Sequence, residues 1–176
     1  MRRPLPVAAI VAILSASHAA ALDLPARKPG LWDIKMTFEG PNRPPRIAQH
    51  CIDAETDKLM NSIGGGLRQE TCSKQDVQRV GDTIMVDSVC TVGAATITSH
   101  GVITGDFNSA YTVKVTSTRE GGSAKPGRPE SGTTNMTIDA TWTGACKADQ
   151  KPGDIIMADG RKINIRDLQN RRPPKK

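Results

Sequence analysis

The sequence predicts an all-β fold: a curled antiparallel meander, in barrel or half-barrel form, with one short helix and two disulfides. Three observations predict this fold. Seven segments alternate apolar and polar residues with the period of two that a strand with one buried face requires. Turns that contain glycine or proline separate these segments, and four cysteines are distributed among them. A sheet with one apolar face has to bury that face, which favours curling.

The first hairpin is predicted over residues 31–52. One face of its first strand, residues 31–38, is apolar and carries Trp32, Ile34, Met36 and Phe38. Prolines within residues 41–45 interrupt the pattern, and an extended segment resumes over residues 46–52. The alternation therefore indicates two neighbouring strands joined by an irregular turn.

A short helix is predicted to follow this hairpin. Asp53 is a suitable N-cap, and Leu59, Met60 and Ile63 are spaced as on one helical face. Glycines at residues 64–66 end the pattern. No other segment of the domain has a comparable helical pattern.

Five further strands are predicted over residues 71–80, 83–90, 95–104, 110–118 and 136–143. The first two form a hairpin whose turn contains Gly81 and Asp82. The next two form a second pair, and residues 119–132 form a long loop that is rich in Gly, Pro and Ser. The strand over 136–143 is expected to be the last strand of the core.

The first 21 residues are predicted to be a secretory signal peptide. Two arginines near the start precede an apolar run over residues 7–14, and small residues follow. Cleavage is expected after Ala21, with Ala19 as the alternative, and residues 22–146 then form one β domain. No other apolar run approaches the roughly 18 to 20 residues that a membrane helix needs, so the mature protein is expected to be periplasmic or secreted and not transmembrane.

The last segment, residues 147–176, is predicted to be a Lys-Pro-Gly turn followed by a basic, flexible tail. Residues 161–176 contain seven basic residues against Asp167 alone, a net charge of +6, whereas residues 22–160 carry −2. Such tails bind anionic surfaces in some proteins, but a solvated extension is the favoured interpretation. Export argues against a nucleic-acid partner.

The four cysteines lie in the exported part of the chain, where two disulfides are expected. A turn centred on Gly81 places Cys72 opposite Cys90, which leaves Cys51 to pair with Cys146. A turn centred between residues 81 and 82 shifts this register by one residue. The alternative pairing, Cys51 with Cys72 and Cys90 with Cys146, therefore stays open. The cysteine spacings fit no zinc module, so no metal site is expected.

The sequence contains no recognisable catalytic set. His50 and His100 have no neighbouring acid at helical or strand spacing, and His50 and Cys51 point to opposite faces of a strand. There is no nucleophile elbow, phosphate-binding loop or dinucleotide fingerprint. The acidic residues Asp53, Glu55 and Asp57 are interpreted as solvated charges at a helix start rather than as a cation site. We therefore predict no catalytic residues, no cofactor and no enzymatic activity.

Two tryptophans are the only residues that the sequence offers as ligand contacts. Trp32 and Trp142 lie at the ends of apolar strand faces, where exposed aromatic residues often form ligand sites. The chain has only five aromatic residues. Packing in the core is therefore favoured over ligand contact for both.

The order and spacing of several motifs resemble one known family. These motifs are Gly30-Leu31-Trp32 at the first strand, Cys51 before an acidic short helix, Cys72 and Cys90 around a polar hairpin, and Gly144-Ala145-Cys146 after the last strand. Over residues 29–146 the chain resembles the uncharacterised bacterial family called domain of unknown function 3617, and residues 151–154 resemble an extension found in some members. The resemblance implies a secreted or periplasmic β protein with four cysteines. It implies no activity, cofactor or catalytic residue.

Two kinds of function fit these observations. The first is a binding or envelope-maintenance module whose curled sheet holds an apolar small molecule or an envelope component. The second is a structural or protein-interaction role, in which edge strands or the basic tail dock a partner or an anionic surface. An enzyme is the least favoured function because no nucleophile, base and orienting group can be assembled.

Overall fold

The computed structural model describes residues 24–64, 72–122 and 131–170. In chain order the described elements are β1 (Gly30–Phe38), β2 (Arg46–Ile52), α1 (Ala54–Gly64), β3 (Cys72–Val80), β4 (Thr83–Val92), β5 (Ala95–Asp106), β6 (Ala110–Gly121), β7 (Gly132–Gly144), β8 (Asp154–Met157), β9 (Lys162–Asn164) and α2 (Ile165–Asn170). The signal peptide predicted for residues 1–21, the glycines at 65 and 66 and most of the loop after β6 lie outside the described residues.

All nine strands belong to one antiparallel sheet, in the order β3-β4-β5-β6-β7-β1-β2-β8-β9. The all-β, antiparallel prediction is confirmed. Strands β3 to β7 form a meander, but β7 then pairs with β1, so that β1 lies between β7 and β2. Within the described residues β3 and β9 are the two edges and do not pair with each other, so the sheet is not a closed barrel. A half-barrel stays a prediction.

The structure corrects the expected end of the fold. Two strands and a helix follow the strand that was expected to be the last, and β8 pairs with β2 through Ala48, Gln49 and His50. Ile165 at the start of α2 is buried in the core. The prediction of a flexible tail is therefore wrong for residues 154–170, because their few apolar side chains suffice to dock them on the sheet. Residues 171–176 lie outside the described part of the chain.

The core lies on the face of the sheet that α1 and α2 cover, which we call the inner face. It contains the buried residues Trp32, Ile34, Ile52, Met60, Ala140 and Ile165. Helix α1 begins at a reciprocal cap: the Thr56 N–H donates to Asp53 Oδ1 at 2.8 Å, and the Asp53 N–H donates to Thr56 Oγ1 at 3.0 Å. The helix predicted after Asp53 is confirmed. Its Met60 side chain packs in the core against the sheet.

Disulfide bonds join Cys51 to Cys146 and Cys72 to Cys90. The register that led to this pairing is different from the one expected, because Val80 lies opposite Thr83 and the turn is centred between residues 81 and 82. A bulge at residue 73 shifts the register by one residue and returns Cys72 to a position opposite Cys90.

Two disulfides indicate that the protein folds in an oxidising compartment, as extracellular and periplasmic proteins do. Across the described ranges, no helix has both the length and the apolar character required to cross a membrane.

Candidate ligand-binding site

Two rows of apolar side chains cross the inner face beyond the helices. Residues that lie opposite each other on antiparallel strands share a face, so the strand registers define these rows. The first, which we call the valine row, consists of Val77, Val86, Gly101, Val115, Met136 and Phe38. The second, the isoleucine row, consists of Ile84, Ile103, Val113, Ile138 and Met36. We call the two rows together the apolar face.

The apolar face is only partly covered. Every side chain of the valine row is partly exposed, whereas Ile84 and Ile103 of the isoleucine row are buried. Helix α1 packs mainly on α2 and β2, and α2 packs mainly on α1 and β9. The two described helices therefore cover the other end of the inner face and leave the valine row accessible.

Gly101 lies at the centre of the valine row and is buried in its strand. A Cβ at this position would have the Val86 carbonyl oxygen, at 3.6 Å, as its nearest neighbour, and Val115 Cγ2 would lie 3.9 Å away. These are ordinary contact distances, so the strand geometry does not require a glycine here. The missing side chain leaves a gap in the apolar face between Val86 and Val115.

The next row along the strands is polar. It contains the partly buried Ser88, Ser99 and Ser117, which we call the serine row. The hydroxyl oxygens of Ser99 and Ser117 lie 2.8 Å apart and share a hydrogen bond. Each row, which runs across the strands, is thus uniform in polarity, and the inner face changes from apolar to polar from one row to the next along the strands.

Arg119 follows Ser117 on the same face of β6. It lies opposite Ile97 on β5 and Gly132 on β7. Its Nε is buried and has no hydrogen-bond partner. Among the described residues no carboxylate forms an ion pair with Arg119, so none of them supplies a counterion for its charge.

The two tryptophans lie at the opposite end of the inner face. Trp32 is fully buried, donates from Nε1 to the Lys28 carbonyl at 2.8 Å and packs against Tyr111. Trp142 lies opposite Trp32, is partly exposed and donates from Nε1 to the Pro29 carbonyl at 3.1 Å. The Lys28 ammonium lies 3.5 Å from the centre of the Trp142 ring. Both rings thus anchor the segment before β1 and lie outside the apolar face.

His50 lies on the inner face beside Trp32, next to the helices. Its Nδ1 is buried and has no partner. Burial, together with the nearby charge of Arg27, lowers the pKa of His50 from 6.5 to about 4. The imidazole is therefore neutral at physiological pH. It lies in the row of Trp32, outside the apolar face.

His100 lies on the other face of the sheet, the outer face. Its Nδ1 is 2.8 Å from Oδ1 of Asp87 on the neighbouring strand, an acid that does not lie at helical or strand spacing from His100 in the sequence. The pair was missed because strand register, not sequence spacing, brings the two residues together. The His100 side chain is 52% exposed, and Thr116 opposite it donates its hydroxyl to Asn135 at 2.9 Å. The Thr116 hydroxyl proton is therefore directed to Asn135 and not to the His100 imidazole.

The acidic residues at the start of α1 each have a protein partner. Asp53 caps the helix, and the donated Thr56 N–H lowers the pKa of the Asp53 carboxyl. Asp57 is buried and accepts from Arg27 Nε at 2.7 Å, and Glu55 accepts from Arg166 Nη2 at 3.0 Å. Within the three described ranges no group of three or more His, Cys, Asp or Glu residues is placed to hold a metal ion.

The outer face is more polar than the apolar face, although it also carries Met85 and Val102. On β6 it carries Thr112, Lys114, Thr116 and Thr118, and on β7 it carries residues such as Thr137 and Asp139. A shallow groove over β1, β2, β7 and β8 is lined both by polar side chains, such as Asp33 and Asp139, and by apolar ones, such as Ile47, Ile156 and Met157. Within the described residues this face therefore mixes polar and apolar side chains, whereas the valine row is apolar throughout.

Comparison with known proteins gives one match. A family model described as "Protein of unknown function (DUF3617)" matches residues 27–146. No curated protein and no solved structure matches the chain. The match ends at the second cysteine of the Cys51 disulfide, so β8, β9 and α2 lie beyond it.

Proposed function

Since this chain belongs to the DUF3617 family, whose description names no activity, we propose its function from its own geometry. The protein is a binding module of an oxidising compartment, and its apolar face holds the hydrocarbon chain of an envelope-derived ligand. The observation that carries this proposal is the valine row, a line of partly exposed apolar side chains across six neighbouring strands. Continuous, partly exposed apolar surface of this kind is typical of binding sites in soluble domains.

The energy available from such a surface is sufficient for reversible binding. Each buried methylene contributes about 0.8 kcal/mol, so about ten methylenes contribute roughly 8 kcal/mol before the costs of association. A free energy of about 8 kcal/mol corresponds to a dissociation constant of about 1 μM, and the entropic cost of binding weakens it further. We therefore expect micromolar or weaker affinity for a simple apolar ligand.

The chemistry of the apolar face favours binding over catalysis. No side chain within the two rows accepts or donates a proton, and exposed arginines, Arg79 and Arg46, lie only at the two ends of the isoleucine row. The described histidines lie elsewhere, His50 beside Trp32 and His100 on the outer face. A ligand on the apolar face would therefore be held and not transformed.

A protein-interaction role is the second candidate, and the free edge of β3 favours it. This strand has nine residues and is paired on one side only. Unpaired edges can accept a strand from a partner. However, β3 has two features that protect edges against such pairing: the charged residues Lys74, Asp76 and Arg79, and the bulge at residue 73. We therefore place this role second.

The proposal is tested by placing a charge at the centre of the valine row. Gly101→Asp introduces a carboxylate where an added Cβ meets no close contact, and covering this charge with an apolar ligand costs free energy. The probe is N-phenylnaphthylamine, an uncharged fluorophore, titrated into the mature protein. Gly101→Ala and Thr98→Asp are the controls, because the first adds no charge and the second places the same charge on the outer face of the same strand.

We expect Gly101→Asp to weaken fluorophore binding by at least about tenfold, with both controls close to the wild type. Thermal melting of each variant shows whether the fold is retained. The proposal is overturned if the wild-type protein does not bind the fluorophore, or if Gly101→Asp and Thr98→Asp weaken binding equally.

A further inference from the structure

We propose that Arg119 and the serine row bind the carboxylate of the ligand, which makes the ligand a fatty acid. This inference rests on the proposed function, since it adds a head group to a chain held on the apolar face. It assigns the chemical class of the ligand and names Arg119, the one described cation with a buried nitrogen that has no hydrogen-bond partner, as the group that selects it.

The order of side chains along β6 matches the order of groups along an amphiphile. Every second residue of a strand points to the same face. The inner face of β6 therefore carries, in order and about 6.6 Å apart, Val113, Val115, Ser117 and Arg119. The apolar part and the arginine are therefore separated by roughly 10 to 20 Å along the strand. A hydrocarbon chain lying along β6 with its head group towards Arg119 would meet matching chemistry at each position.

The neighbouring strand repeats this order. On β5 the isoleucine row contributes Ile103, the valine row Gly101 and the serine row Ser99. The gap at Gly101 therefore lies directly between the apolar rows and the hydroxyls. Two adjacent strands thus form one path that runs from apolar side chains to hydrogen-bond donors.

The unpaired state of Arg119 indicates an anionic occupant. Leaving a buried donor without a partner costs free energy, and more so when the group is charged. The Arg119 Nε is in this condition, and no described carboxylate neutralises the guanidinium. Its neighbour on β7 is Gly132, which has no side chain, and Gly122 lacks the Cβ that would lie 2.7 Å from Arg119 Nη2. Nη2 therefore fills the space that a side chain at residue 122 would take, while the paired position on β7 places no side chain against the guanidinium.

A carboxylate fits this site better than a larger anionic head group. The guanidinium is a planar fork that binds one carboxylate through two parallel hydrogen bonds. Among the described residues, Arg119 is the only cation in the serine row and in its own row, whose other members, such as Ile97 and Cys90, are neutral. One positive charge matches the one negative charge of a fatty acid, and the serine hydroxyls supply further donors.

The test compares two ligands that share a chain and differ in the head group. The fluorescent probes are cis-parinaric acid and its methyl ester, titrated into the mature, oxidised protein. Arg119→Gln removes the charge, and Arg79→Gln removes an exposed arginine from another strand of the same face. Thermal melting verifies that both variants are folded.

We expect Arg119→Gln to weaken binding of the acid about tenfold and to leave the ester unchanged, whereas Arg79→Gln changes neither. Unchanged binding of the acid by Arg119→Gln overturns the head-group assignment, as does an equal loss for acid and ester. If wild-type protein binds neither probe, the proposed function itself is wrong. If it binds both probes equally well, only the head-group assignment fails.

Discussion

Arg27 and Asp57 form an ion pair inside the fold, with Arg27 Nε 2.7 Å from Asp57 Oδ1 and side chains that are 6% and 1% exposed. The Arg27 backbone N–H donates to the other carboxylate oxygen at 2.8 Å. The pair joins the segment before β1 to helix α1, so it fixes the helix over one end of the inner face. The other end, which carries the apolar face, is left accessible.

We expect Asp57→Ala to lower the free energy of unfolding by about 3 to 5 kcal/mol, because it leaves Arg27 buried without a counterion. Urea denaturation followed by circular dichroism measures this loss. Asp159→Ala is the control, since it breaks an exposed pair with Arg161 and is expected to cause no measurable change. A double variant, Arg27→Met with Asp57→Leu, should recover most of the loss. A small effect of Asp57→Ala alone would show that the pair does not hold the helix in place.

Acid should destabilise the fold through His50. In the folded state its pKa is about 4, whereas in the unfolded chain it is 6.5. Between these values the unfolded chain binds a proton that the folded protein does not, so the free energy of unfolding rises with pH through this window and His50 adds nothing further above it. The difference amounts to about 3 kcal/mol between pH 4 and pH 6.5.

The measurement is urea denaturation at several pH values for the wild type and for His50→Gln. The carboxylates titrate alike in both proteins, so the difference between the two curves isolates His50. We expect a shallower dependence on pH in His50→Gln. Parallel curves for the two proteins would show that this imidazole is not held neutral by burial.

The two tryptophans should differ in their contribution to stability. Trp32 is fully buried and Trp142 is partly exposed, although they lie opposite each other. We expect Trp32→Ala to cost about 3 to 5 kcal/mol, through lost burial and the cavity that remains, and Trp142→Ala to cost clearly less. Denaturation midpoints of the two variants test this order. An equal loss would mean that Trp142 packs as fully as Trp32.

Deleting Ser73 should leave the Cys72 to Cys90 disulfide intact. Lys74 lies opposite Val89 and Cys72 lies opposite Cys90, so Ser73 is the extra residue of the bulge. Its removal makes the two pairs consecutive in a regular hairpin. Peptide mapping without reduction should recover the same linked peptides as in the wild type. Free thiols, or a linkage of Cys72 to another cysteine, would show that the bulge is needed for the bond.

Alternation in the sequence predicted most of the sheet. It located β1 to β7 and the helix after Asp53, because one-faced burial leaves a period of two along each strand. It did not predict that β1 lies between β7 and β2, since pairing of distant strands leaves no local pattern. It also missed β8, β9 and α2, whose short apolar segments were outweighed by the basic residues around them.

The candidate site was harder to predict than the fold. The period of two within β5 places Ser99, Gly101 and Ile103 on one face, but only the register between strands aligns them with Ser117, Val115 and Val113. Arg119 was assigned to a loop because glycines follow it closely, whereas β6 continues through Gly121. The disulfide at Cys72 also depends on strand register. The pairing was predicted from a turn centred on Gly81, whereas the turn is centred between residues 81 and 82 and a bulge at residue 73 restores the register by one residue.

Paramagnetic broadening by a nitroxide-labelled stearic acid tests the apolar face most directly. The methyl resonances of Val86 and Val115, on the inner face, are compared with those of Val89 and Val102, which lie on the outer face of neighbouring strands. We expect the label to broaden the resonances of Val86 and Val115 more strongly than those of Val89 and Val102, because the broadening falls steeply with distance and the outer-face methyls lie farther from the label. Equal broadening on both faces, or broadening of the outer face alone, would contradict binding of a fatty acid to the apolar face.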